Sequence, residues 1–201
     1  MTIEQPRNAD FMTPDKQISQ QWIRYFEQVA RTASAASAAG SKIIGNWGPT
    51  DASFPASGFA TLDTRNTHPV ADFDDSAFNR LYFHGVMPDN YTTDGDLIVS
   101  IYYSMTSATS GNVNWQAELE NMLGLDVDSD SFATAESVVD TVPVTSGEVK
   151  KVELTLDSAG SHLDSLVAGD LFRLDVTRGG SNGSDTATGD AELHMVQLRI
   201  A

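Results

Sequence analysis

Three aspartates at alternate positions are the first residues of this sequence that could do chemistry. Asp126, Asp128 and Asp130 are each separated by one residue, and alternate carboxylates in a loop can present oxygens to one side, as Ca²⁺ requires. The segment is not an EF-hand, because Ser131 stands where that loop needs glycine and Ser137 where it needs a bidentate glutamate. The aspartates are therefore candidates for a calcium site, with solvated loop carboxylates as the alternative. The sequence indicates no other cofactor.

The histidines, serines and glycines give no complete signature of a common catalytic or phosphate-binding site. No two of the four histidines (His68, His84, His162 and His194) form HxH or HExxH, the patterns of cupins and zinc proteases. Gly179–Gly183 matches the letters of the GxSxG elbow, but no helical pattern follows the serine, as that elbow requires. The GxxxxGKS/T phosphate loop is missing, and there is no cysteine. We therefore expect the protein not to be an enzyme. A Ser/His/Asp set whose members are distant in the sequence and meet only in the fold would, however, show no such spacing.

The charge is distributed unevenly, which limits the classes of partner. Residues 1–50 contain five Lys/Arg and four Asp/Glu, so nearly the whole net charge of −16 belongs to the residues that follow. An acidic body repels phosphate backbones, and we expect no binding to nucleic acid. No apolar run approaches the roughly 20 residues of a membrane span, so we expect no membrane partner. The acidic surface either keeps the protein soluble or meets a basic partner or cations.

The elements that must position these residues are short β-strands. Val113, Trp115, Ala117 and Leu119 alternate with polar residues, and this period of two is typical of a half-buried antiparallel strand. Eight such segments, separated by turn residues, predict an all-β antiparallel sandwich or jelly roll. The predicted strands are Phe59–Asp63, Leu81–Met87, Leu97–Met105, Val113–Leu119, Phe132–Val142, Val149–Leu156, Leu171–Thr177 and Glu192–Ile200. Trp115 is expected at the centre of the core, opposite Ile101 or Tyr103.

An N-terminal α-helix and an extended arm are predicted before the sandwich. Thr13-Pro14-Asp15 is a helix start, and apolar residues recur at spacings of three and four through Asp15–Ala39. This helix either packs on its own domain or forms a short coiled-coil seam between identical subunits. Residues 41–58 contain two aromatic anchors, Trp47 and Phe54, which pack either on the protein's own β domain or on a neighbouring subunit.

The chain is accordingly divided into residues 1–58, for attachment and oligomerisation, and residues 59–201, the β-sandwich domain. Arg65 is one of few cations in this acidic domain, and we expect it to form a salt bridge with an acidic loop or with a neighbouring subunit. The expected interface residues are Ile18, Trp22, Tyr25, Phe26, Val29, Trp47, Phe54 and Arg65.

Several blocks between residues 59 and 201 carry a family resemblance. They are Leu62–Val70; Gly85, Pro88 and Tyr91; Ser107–Val113 with Trp115; Asp130–Ala133; Asp164–Leu166 with Ala168–Asp170 and Phe172–Leu174; and Asp185-Thr186 with Gly189–Leu193. This region resembles a family of mostly uncharacterised β-sandwich proteins of tailed bacteriophages and environmental viral genomes. The resemblance implies a virion structural protein on the capsid surface, foremost a capsid decoration (cement) protein that contacts the major capsid protein, or else a tail-associated protein. It supplies no binding residues.

Three functions compete at this stage. The first is a virion component that stabilises the capsid lattice, expected as a homotrimer. The second is a glycan-binding module on a tail or particle surface, for which Tyr91, Tyr102, Tyr103 and Trp115 are the candidate aromatic residues if they are exposed. The third is a glycan hydrolase, which needs two carboxylates at a fixed separation in a cleft. Aspartates are too numerous here for the sequence to single out such a pair.

Overall fold

A computed structural model describes residues 5, 11, 18–38, 42–93, 95–129 and 131–201. The chain forms two compact units, Met1–Ser41 and Lys42–Ala201. The first contains the helix α1 (Gln20–Ala38), and no helix of the described residues is long and apolar enough to cross a membrane. The second contains ten described strands: β1 (Ile43–Trp47), β2 (Thr61–Arg65), β3 (His68–Phe73), β4 (Phe78–Val86), β5 (Leu97–Met105), β6 (Asn112–Asn121), β7 (Glu136–Thr141), β8 (Lys150–Leu156), β9 (Leu171–Gly179) and β10 (Ala191–Ile200).

The strands form two antiparallel sheets, which confirms the predicted β-sandwich. One sheet has the order β2-β3-β10-β5-β8, with β1 also paired to β10, and the other has the order β4-β9-β6-β7. The alternation of side chains explains the layering: in β8, Val152, Leu154 and Leu156 are buried while the residues between them are exposed. The central strands thus turn one apolar row towards the space between the sheets.

Trp115 lies at the centre of that core. Its indole is fully buried and makes edge-to-face contacts with Phe73 and Tyr103, with ring centroids 5.1 and 5.4 Å away. Tyr103 comes from the facing sheet, so the sequence-based expectation for Trp115 is confirmed.

A buried arginine closes the core at the opposite end from the β4–β5 turn. Arg178 Nε and Nη2 donate to the two carboxylate oxygens of Asp185 at 3.0 and 2.8 Å, and both side chains are inaccessible to solvent. Its remaining N–H groups donate to the carbonyl oxygens of Phe73, Ala187 and Gly189. Because a buried charge is tolerated only when it is paired and hydrogen-bonded, Arg178 fixes the 185–189 loop against both sheets.

Residues 43–58 differ from the predicted arm, because much of this segment belongs to the sandwich. Ile43–Trp47 pairs with β10, and the Trp47 ring lies 5.9 Å from Phe83 and 6.2 Å from Phe172. Of the two packings weighed for Trp47, the one on its own β domain is observed. The sequence conceals this strand because a register shift at Gly45 breaks the alternation, and a Cβ at Gly45 would collide with the Trp47 indole.

The leading unit contains a cluster of aromatic side chains. Trp22, Tyr25 and Phe26 of α1 contact one another, and Phe11 contacts Trp22 and Phe26. Ile18, Phe26 and Val29 nevertheless remain exposed. The helix begins at Gln20 in the described residues, and the predicted start at Thr13–Asp15 lies outside them.

Candidate functional site

The outward side chains of β4, β9 and β6 form one polar surface, here called the sheet face. The strand register places them in cross-strand rows, because β9 pairs with β4 on one side and with β6 on the other. The rows are His84–Arg173–Glu120, Tyr82–Asp175–Glu118, Arg80–Thr177–Gln116 and, at the far end, Phe78–Gly179 with Asn114 beside them.

The first row is closed by an aromatic lid. Arg173 pairs with the fully buried Glu120 through Nε and Nη2, at 2.7 and 2.5 Å, and Glu120 also accepts the backbone N–H of Ser131 at 2.6 Å. The guanidinium lies 4.7 Å from the ring of Tyr82 and 4.5 Å from that of Phe132, which stack on each other. This end of the sheet face is therefore occupied by the protein's own side chains.

The centre of the sheet face holds a pair of neighbouring carboxylates. Asp175 is buried, accepts a hydrogen bond from Thr177 Oγ1 at 2.8 Å and lies 3.2 Å from Arg80 Nη1. Burial, with a smaller contribution from the neighbouring Glu118 carboxylate, raises the pKa of Asp175 to about 7 against the opposing effect of Arg80. Because its pKa is near 7, Asp175 is partly protonated near neutral pH, and the neighbouring carboxyl groups carry less than their full negative charge.

The far end of the sheet face is open and combines an aromatic ring with two amides. Phe78 is 46% exposed. Gly179 lies beneath it, and a Cβ at Gly179 would stand 3.3 Å from the Phe78 ring and 2.7 Å from Asn114 Oδ1. Gln116 Nε2 donates to Asn114 Oδ1 at 3.0 Å, and the backbone N–H of Asn114 donates to Asp185, so the amides are held in place from below.

This arrangement suits binding better than hydrolysis. Amide, carboxylate and guanidinium groups are planar and offer paired donors or acceptors, and an exposed aromatic ring offers an apolar surface beside them. A glycosidase needs its two carboxyl groups roughly 5–9.5 Å apart, with the sugar between them. Asp175 is buried, so its carboxyl group cannot contact a sugar on this face.

The aromatic residues that the sequence offered for glycan contact lie elsewhere. Tyr91, Tyr103 and Trp115 are buried, so they cannot form a binding platform, and Tyr102 is partly exposed on β5 of the other sheet. Phe78 was missed because the predicted strand began at Leu81. The signal available was its two-residue spacing from Arg80 and Tyr82, which places Phe78 on the same outward side of the strand.

The predicted calcium ligands are not gathered into a site by the described residues. Asp126 and Asp128 are exposed, and Asp126 Oδ1 accepts the backbone N–H of Asp128 at 3.2 Å, as aspartates in turns commonly do. Asp130 lies outside the described residues. Over the described ranges, no group of three or more His, Asp or Glu side chains could hold a metal ion.

Arg65 forms its salt bridge with a strand residue rather than a loop. Its Nη1 pairs with Glu192 of β10 and donates to the carbonyl oxygen of Met105 at 2.9 Å. Gly147 packs on the guanidinium, where a Cβ would lie 2.8 Å from Nη2. Arg65 therefore joins β2, β5 and β10 within the sandwich.

A serine and a histidine meet beside this ion pair, but their geometry is not that of an activated nucleophile. Ser104 Oγ donates to Glu192 Oε2 at 2.7 Å and lies 3.0 Å from His194 Nε2. In a catalytic triad the carboxylate contacts the histidine, whereas here it contacts the serine. Burial also lowers the pKa of His194, and Ser104 is inaccessible to solvent, so the three form a structural hydrogen-bond network.

Comparisons with known proteins concern the sandwich. No family model matches the chain, and no curated protein matches its sequence. Among solved structures, the chain is similar to a family 6 carbohydrate binding module from Cellvibrio mixtus lichenase 5A in complex with cellotriose, with 9% identity, a TM-score of 0.47 and coverage of 78% of this chain and 97% of that one. It is also similar to the C-terminal CBM6 of LamC from Zobellia galactanivorans (9% identity, TM-score 0.43, 77% and 97% covered). A family 11 module from Clostridium thermocellum gives 10% identity, a TM-score of 0.41 and coverage of 80% and 95%. The likeness is one of β-sandwich fold.

Proposed function

We propose that this protein is a glycan-binding β-sandwich that serves in surface attachment. The observation that carries this proposal is the exposed ring of Phe78 beside the planar polar groups of Gln116, Arg80 and Glu118 on one side of a single sheet. A sugar ring has an apolar face of C–H groups and an edge of neighbouring hydroxyls. The aromatic ring matches the first and the paired donors and acceptors match the second.

The buried layer under these groups supports the same function. Asn114, Thr177 and Asp175 are nearly inaccessible to solvent, and Thr177 donates to Asp175. Asn114 holds the Gln116 amide through a hydrogen bond and Asp175 holds Arg80 through an ion pair, so these two outer side chains are positioned before a ligand arrives. A preformed surface loses less conformational entropy on binding than a mobile one. Nucleic acid is a poor alternative ligand for this face, because the chain has a net charge of −16.

A glycan array followed by calorimetric titration of the best ligand tests this function. Phe78→Ala removes the stacking surface, and we expect it to weaken binding at least tenfold with the fold unchanged by circular dichroism. Leu62→Ala is a matched control, because Leu62 is 44% exposed, close to the 46% of Phe78, but lies on β2 of the other sheet. An array without signal, or equal affinities for both variants, would overturn the assignment.

We also propose that the leading unit tethers the sandwich to a particle, as the resemblance to phage β-sandwich proteins implies. Two features support this role: Met1–Ser41 is a separate compact unit, and α1 exposes apolar side chains at Ile18, Phe26 and Val29. A homotrimer on a capsid surface, in contact with the major capsid protein, remains the form proposed.

Mass measurement in solution tests the tether. We expect the full chain to form oligomers and a chain starting at Lys42, the first residue of the sandwich unit, to be monomeric. A monomeric full chain, together with undiminished particle binding by the shortened chain, would exclude this role while leaving glycan binding open.

A further inference from the structure

A second concave site lies at the end of the sandwich where β5 begins and β6 ends. This loop pocket has a volume of about 640 Å³, within the range of small-ligand sites. Three loops form it, at residue 93, at residues 132–134 and at residues 158–166.

The walls of the loop pocket are joined to each other and to the sheets. Thr134 donates its backbone N–H to Ser161 O at 2.8 Å, and its carbonyl oxygen accepts from His162 Nδ1 at 2.8 Å. Asp164 accepts the backbone N–H of Asn121 at 2.6 Å, which fastens the third loop to the end of β6. Asp164 and Ser165 both have left-handed backbone angles, with φ of 47° and 57°. The sequence pattern SHLDSLV predicts an ordinary helical turn here, so the tight reversal is visible only in the structure.

The lining residues are rich in hydroxyl side chains and include one carboxylate. Five of them carry a hydroxyl, namely Thr93, Thr134, Ser158, Ser161 and Ser165, and the Ser158 hydroxyl donates to Asp96 Oδ1 at 2.8 Å. Each hydroxyl can donate and accept, as the hydroxyls of a sugar do. Leu163 and Leu166 are buried below them and supply an apolar floor. Among the described lining residues Asp164 is the one acidic residue, and none is a lysine or an arginine. The Asp164 carboxylate would therefore repel an anionic ligand, and no cationic side chain of the lining would pair with it.

We propose that the loop pocket is a second carbohydrate subsite, which takes a neutral sugar unit such as a chain end. The ligand class rests on the proposed glycan-binding function, but the residues differ from those of the sheet face. The two sites can therefore succeed or fail separately.

Backbone amide NMR titration of the full chain with methyl glycosides of glucose, mannose and galactose tests this subsite. We expect at least one of them to shift the amides of residues 133, 134 and 160–166 at millimolar concentration, and the methyl glucuronide to bind at least fivefold more weakly. Ser161→Trp fills the mouth and should abolish these shifts. Ser110→Trp, on an exposed loop at the other end of the sandwich, is the matched control and should leave them unchanged.

A second variant keeps the test valid if Ser161→Trp folds poorly. Thr134→Val removes one hydroxyl and keeps nearly the same side-chain shape. It should weaken binding about fivefold, which corresponds to the loss of one hydrogen bond between neutral groups. The subsite is overturned if no glycoside shifts the pocket amides, if the shifts persist in Ser161→Trp, or if the glucuronide binds as well as the neutral glycosides. Shifts confined to amides near Phe78 would overturn the subsite and support binding at the sheet face. Shifts confined to the pocket amides would support the subsite and count against binding at the sheet face.

Discussion

Replacing Asp175 by asparagine tests the central carboxylate pair of the sheet face. The amide keeps an oxygen for the hydrogen bond from Thr177 Oγ1 and removes the group that ionises next to Glu118. Because the folded protein holds the pKa of Asp175 near 7, against 3.8 for the ordinary side chain, ionisation of Asp175 opposes folding.

The sign and size of the effect follow from this difference. Below pH 3.8 Asp175 is protonated in the folded and the unfolded chain, so it costs no stability there. As the pH rises towards 7 the unfolded chain loses the proton while the folded chain keeps it, and stability falls. At about 1.4 kcal/mol for each pH unit, the rise from 3.8 to about 7 corresponds to a loss on the order of 4 kcal/mol, complete once the pH passes 7.

Urea denaturation between pH 4 and pH 8 measures this loss. The Asp175→Asn variant should gain stability over the parent chain as the pH rises to 7, and the gain should then level off. Asp72, whose pKa is raised to about 6 chiefly by burial, gives a slope of the same sign in both proteins and cancels in the difference. Asp89→Asn, on an exposed loop, controls for the loss of one charge. Parallel stability curves for the parent and Asp175→Asn would refute the raised pKa of Asp175.

Two further predictions concern the interior. Asp185→Ala leaves Arg178 buried without its partner and should lower the free energy of unfolding by about 3–5 kcal/mol. Adding Arg178→Met to this variant should restore part of the lost stability. If urea denaturation instead shows that the losses of the two substitutions simply add, the pairing is contradicted. Gly85→Ala would place a Cβ 2.5 Å from the Phe172 ring and should cost about 1–3 kcal/mol, measured as a shift in thermal midpoint. Gly183→Ala, which has open space around it, should stay within about 0.5 kcal/mol and is the control.

Those parts of the fold that depend on one strand at a time could be predicted from the sequence. The period of two in β6 and β8 identifies their buried rows, and Trp115 was placed in the core from that alternation alone. The strand β1 could not be predicted, because the register shift between Ile43 and Gly45 breaks the same period of two. A pattern rule therefore fails where a bulge lets one large side chain, here Trp47, turn into the core.

The candidate sites could not be predicted, because they arise from pairings between distant strands. Nothing in the local sequence brings Glu118 next to Asp175; only the register of β6 on β9 does so. The same register sets Gly179 beneath Phe78, with Asn114 beside it, so that an exposed phenylalanine becomes part of a polar surface. The loop pocket needs three loops that meet only once both sheets are formed.

The position of β10 has a consequence for how the sandwich is made. This strand pairs with β1, β3 and β5, yet it is the last of the sandwich strands to be synthesised. While it is still inside the ribosome, β5 lacks one neighbour, and β1 and the β2–β3 hairpin have nothing to join. A nascent chain of this kind exposes strand edges until translation has passed Ile200. The sheet that contains β10 can therefore close only after this strand has been synthesised, and losing it would remove the shared partner of β1, β3 and β5.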